Sequence, residues 1–137
     1  MKILTSTAIA LTLTAGAVFA AAHATPMVEA ADQDMSGGIV TADKVMAGEN
    51  GWLVVHRTDA DMKPGPVVAY APLRAGENTD VAAILQEDVA SGDMLMLMVH
   101  AEKGGMETGV FEYTLGAKED GPIKPEGELV MKVVTAE

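Results

Sequence analysis

The sequence predicts an all-β domain, a single antiparallel β-sandwich of about seven or eight strands, immunoglobulin-like or cupredoxin-like in outline. Two observations carry this. Short apolar or alternating runs recur along the chain, and no stretch shows a convincing helical period. The runs are separated by turn formers: Ser36-Gly37-Gly38, Gly48-Glu49-Asn50-Gly51, Lys63-Pro64-Gly65-Pro66, Ala75-Gly76-Glu77-Asn78, Ser91-Gly92 and Gly121-Pro122. Glycine supplies positive φ and proline pre-sets the turn, so each break has a mechanism.

In chain order the expected strands are Val28–Gln33, Ile39–Met46, Trp52–Thr58, Val67–Ala71, Asp80–Leu85, Met94–Ala101, Val110–Leu115 and Leu129–Thr135. The stretch from Thr79 to Asp88 also fits a helix of two turns, capped by Thr79-Asp80. Alternation of Val81, Ala83 and Leu85 within all-β surroundings favours the strand. Trp52, the single tryptophan, opens an apolar strand and reads as a core anchor with its indole N–H satisfied near the strand start. Tyr70, Phe111 and Tyr113 read as packing residues.

Residues 1–24 have the form of a cleaved export signal: Lys2, an uncharged apolar run from Ile3 to Phe19, then Ala20-Ala21-Ala22-His23-Ala24. The run is short and diluted by threonine, whereas a stable membrane span needs about 20 strongly apolar residues. Export to the periplasm or the cell exterior, with no anchor after cleavage, is the expectation. Residues 25–137 then form one domain. The absence of cysteine excludes disulfides, thiol nucleophiles, thiolate metal sites and a lipoprotein anchor. The net charge is −11, and removing Lys2 leaves eight basic against twenty acidic residues. Such a field repels nucleic acid and anionic lipid.

Three strings then stand out: Ala31-Asp32-Gln33, Gly51-Trp52-Leu53-Val54-Val55-His56 and Met98-Val99-His100-Ala101-Glu102. Gly109-Val110-Phe111-Glu112-Tyr113 and Asp120-Gly121-Pro122-Ile123 follow. In this order they resemble an uncharacterised domain family of exported and surface proteins of bacteria and halophilic archaea. The resemblance covers nearly all of the chain after the leader. It implies a compact β-sandwich, often one module of a larger surface protein, and implies no activity. Glu102 stands where the family pattern usually has aspartate, and Lys103 to Thr108 makes a longer link.

Two constellations could hold an ion. With period two, Met94, Met96, Met98 and His100 line one strand face, with Met106 on the following loop and His56 ending another strand. Thioether and imidazole are donors that copper accepts without thiolate. The competing reading is a methionine-filled core strand and two histidines hydrogen-bonded where strands leave the core. In the second constellation Asp32, Asp34, Ser36 and Asp43 fall at calcium-loop positions one, three, five and twelve, with Gly37 at the turn glycine and Ile39 at the apolar eighth position. That loop closes on Asp rather than Glu and lacks flanking helices, so a β-hairpin competes.

Ser36 and Ser91 have no nucleophile context, no triad is recognisable, and neither a phosphate loop nor a dinucleotide fingerprint is present. The leading expectation is a non-catalytic exported module without a cofactor, binding a protein or small ligand. A periplasmic copper-binding protein is the alternative, and a calcium-binding module the second.

Overall fold

The structure, a computed structural model, describes residues 24–137. The export-signal reading of residues 1–24 therefore lies outside the described residues, apart from Ala24. Nearly all regular structure is β: β1 (Met27–Glu29), β2 (Ile39–Ala47), β3 (Gly51–Thr58), β4 (Val67–Leu73), β5 (Gly76–Ile84), β6 (Met94–Ala101) and β7 (Met131–Thr135). They form two antiparallel sheets, ordered β1-β2-β5 and β4-β3-β6-β7. No helix among the described residues is long and apolar enough to cross a membrane.

Between the sheets Val40, Ala42, Val81 and Ala83 of the first face Leu53, Val55, Leu95, Leu97, Val99 and Val134 of the second, all buried. Alternation aims these residues inward because successive side chains of a strand leave opposite faces. β3 and β6 are buried on both faces, which is why they read as continuous apolar runs.

The expected strands at 39–46, 52–58, 67–71 and 94–101 are present, each within two residues of its expected ends. The ambiguous stretch is strand through Ile84, and β5 begins at Gly76, so the turn ahead of it is tighter than its sequence suggests. Three expectations are corrected. The first strand stops at Glu29, after which Gln33 bridges in parallel to Ala136 beside β7, so the chain changes sheets where one longer strand was expected. Leu129 and Val130 precede the last strand, which starts at Met131.

Val110–Leu115 is not a strand. The amide of Glu112 donates to the Asp120 carboxylate at 2.8 Å, and no ladder forms. The segment belongs to a strap, residues 102–123, that crosses the outer face of the four-stranded sheet. Gly104, Gly109 and Gly116 take positive φ along it, on either side of Val110–Leu115, where the chain turns. Alternation at Phe111 and Tyr113 reflects two side chains turned onto one surface, which strap and strand can share.

Candidate metal centre

The outer face of the four-stranded sheet carries a second buried layer. Register pairs Trp52 with His100, Val54 with Met98 and His56 with Met96. All six are buried, with His56 at 0% and His100 at 1% exposure. A bulge in the β3–β4 pairing, with Val68 the extra residue on β4 opposite Val55 and His56, precedes the turn at Lys63–Pro66, whose Gly65 and Pro66 backbone hydrogen-bonds Arg57 at the end of β3. There the His56 ring meets the Gly65 carbonyl.

The two histidines turn their ring nitrogens onto each other. His56 Nδ1 lies 2.8 Å from the Gly65 carbonyl oxygen, and His100 Nδ1 lies 2.6 Å from the Asp120 carbonyl oxygen. A carbonyl only accepts, so each Nδ1 must carry the proton and donate. Each neutral ring is left with a lone pair on Nε2, and the two Nε2 atoms are 3.3 Å apart. Two acceptors at that separation form no hydrogen bond. A cation between them would be stabilised by both lone pairs.

A proton is one such cation, but burial opposes it. Desolvation pushes both rings below the ordinary histidine pKa, only partly offset by the carbonyls they face. His100 is lowered to about 4, where repulsion from His56 adds to burial and the Asp120 carbonyl and carboxylate act the other way. The other candidate is a metal ion. Imidazole nitrogens bound at about 2.0 Å to one tetrahedral ion stand about 3.3 Å apart, which is the separation observed. Carbonyl-held Nδ1–H groups are also the usual means of fixing the tautomer of a ligating histidine.

The strap closes over this layer. Tyr113, itself buried, packs edge-on against His100 at 4.6 Å and His56 at 5.8 Å between ring centroids. Phe111 lies over Trp52 at 5.4 Å and stacks on Tyr70 at 4.4 Å, so Trp52 sits in an aromatic group beside a cleft of about 680 Å³. Its indole N–H donates to Glu102 at 2.8 Å, the satisfaction expected near the strand start. Asp120 ties the strap down. It is fully buried and accepts from Lys103 N at 3.0 Å and Glu112 N at 2.8 Å, while its own carbonyl holds His100. The strings Gly51–His56, Met98–Glu102, Gly109–Tyr113 and the Asp120 turn, scattered in sequence, thus meet in one place.

Of the expected copper ligands, His56 and His100 come together, and Met96 and Met98 share their buried face. Met96 is opposite His56 in register, and Met98 precedes His100 by two residues. Met94 lies at the far end of β6 opposite Thr58, and Met106 is 97% exposed on the strap, so neither joins the pair. Gly65, Tyr113 and Asp120 were not legible as site residues. Their sequence signals were only structural: a Pro-Gly-Pro turn at Gly65, the Gly109–Tyr113 string and the Asp-Gly-Pro turn at Asp120.

The expected calcium residues are not brought together. Asp32 Oδ1 accepts the Thr135 amide at 2.7 Å, Asp34 Oδ1 accepts the Ser36 amide at 2.8 Å, and Asp43 lies exposed along β2. A turn closed by Gly38 N donating to Met35 O at 3.0 Å leads the segment from Gln33, which bridges to Ala136, into β2, so the expected hairpin is not formed either. Among the described residues no group of three or more His, Asp or Glu side chains could hold a metal ion. Any ion at His56 and His100 must complete its shell from sulfur, water or an exogenous ligand.

A family model described as a domain of unknown function, DUF7282, matches residues 26–137. No curated protein and no solved structure matches the chain.

Proposed function

The chain belongs to the DUF7282 family of domains of unknown function, and from its buried histidine pair we propose that it is a non-catalytic, exported copper-binding module. The single observation behind this reading is the pair of Nε2 lone pairs 3.3 Å apart, with both Nδ1 protons committed to carbonyls. Copper is favoured over zinc because the remaining donors on this face are thioethers. Zinc takes nitrogen, thiolate and carboxylate, and no third such side chain joins the pair. The leader supports export, and the absence of any recognisable catalytic set in the sequence supports a binding role.

Copper titration of the metal-free protein tests this directly. One equivalent of copper binds, quenches the fluorescence of Trp52 on the adjoining register position, and raises the melting temperature, since a ligand of the folded state stabilises it by about 2.7 kcal/mol at a hundredfold excess over Kd. The His56→Ala/His100→Ala variant loses all three effects. Absence of stoichiometric uptake by the wild-type protein, as Cu(I) or Cu(II), rejects the proposal.

A further inference from the structure

We propose that the ion held between His56 and His100 is monovalent, a cuprous ion whose counter-charge is the buried Asp120 carboxylate, and that the site selects by valence against Cu(II) and Zn(II). This rests on the copper reading above and concerns which ion of that class the site takes.

The donor set is uncharged. The two imidazoles, each with Nδ1 protonated, carry no negative charge, and the methionines that share their strand face, Met96 and Met98, would add none. Uncharged soft donors favour the softer, less charged oxidation state of copper. The site is also buried. His56, His100, Met96, Met98 and Asp120 are each at most 1% exposed, so water offers little to stabilise excess charge there.

The charge balance of the layer points the same way. Asp120 is the only buried carboxylate among the described residues, and both its oxygens accept from backbone amides, those of Lys103 and Glu112. Amides are dipoles and leave the formal charge uncompensated. The ion pairs of the described residues, Lys44–Glu29 and Arg57 with Glu87 and Asp93, do not involve it. The layer thus holds one negative charge and, with both rings neutral, no positive one. The His100 ring joins the two halves, its Nδ1–H on the Asp120 carbonyl and its Nε2 toward His56. A monovalent ion at Nε2 makes the buried unit neutral. A divalent ion leaves one uncompensated positive charge in a low-dielectric layer.

The test is a set of four titrations of the metal-free protein against competing chelators: Cu(I) under anaerobic reducing conditions, Ag(I) as a monovalent ion with no redox chemistry, Cu(II) and Zn(II). One equivalent of Cu(I) and of Ag(I) binds, each at least about tenfold tighter than Cu(II) or Zn(II). Asp120→Asn removes the counter-charge, weakens divalent binding more than monovalent binding, and so raises the Cu(II)/Cu(I) potential by about 59 mV for each tenfold change in the ratio. A purely structural role for Asp120 leaves that potential unmoved. Cu(II) or Zn(II) bound at the histidine pair as tightly as Cu(I) overturns the valence proposal and leaves the metal-binding reading standing. Uptake of none of the four ions overturns both. The wild-type titrations decide the matter even where Asp120→Asn does not fold.

Discussion

Burying two neutral imidazoles makes the stability of the metal-free protein depend on pH in a definite direction. In the unfolded chain a histidine takes up a proton below about pH 6.5, whereas the folded His100 resists protonation down to about pH 4 and His56 is shifted the same way. Between those values the unfolded state binds more protons. Stability is therefore fully present above about pH 6.5 and falls as the pH is lowered across the window, by at most about 3 kcal/mol for His100. Chemical denaturation in the presence of chelator at pH 7 and pH 4.5 measures this. Carboxylates titrate in the same range, so the diagnostic quantity is the difference from His100→Gln, whose curve is flatter. An equal slope in both proteins contradicts the account.

At the level of elements, the site depends on how closely β3 and β6 approach and on what holds the strap. Gly51 faces Ala101 in register, and a Cβ added there would run into the backbone carbonyl oxygen of His100. Backbone cannot swing aside as a side chain can, so Gly51→Ala destabilises the fold by about 2–3 kcal/mol, readable by urea denaturation. The strap is anchored differently. Asp120→Ala removes its two carboxylate hydrogen bonds but keeps the backbone carbonyl that meets His100. The expected outcome is faster proteolysis between residues 103 and 119 with amide protection retained in β3 and β6, because the sheet ladder itself is untouched. Loss of protection throughout would mean that strap and sheet unfold as one unit.

For the whole molecule the dominant fact is charge. A net charge of −11 on 137 residues, with cations few and partly engaged in surface pairs, sets the chain against itself. Raising salt from about 10 mM to about 100 mM shortens the screening length from about 30 Å to about 10 Å. The melting temperature accordingly rises by a few degrees, as scanning calorimetry would record, and an unchanged value would show that the charges are already too dispersed to matter. The same field raises the local concentration of cations around the domain without selecting among them.

Strand positions, the two-sided burial of β3 and β6 and the sandwich class follow from local pattern, because a period of two and the chemistry of glycine and proline turns act over a few residues. His56, His100, Met96 and Met98 were visible as soft donors for the same reason. Met106, Met94 and the aspartates of residues 32–43 carried an equally plausible local pattern, yet exposure, distance along the strand and backbone partners take them elsewhere. The strap has the local pattern of a strand because Phe111 and Tyr113 alternate as they would on either. What tertiary structure alone decided is the pairing of β3 with β6 and the return of Asp120 over His100. Residues 44 and 20 positions apart in sequence meet only through sheet register and strap closure. Tautomer, burial and the 3.3 Å gap between the rings are properties of that meeting.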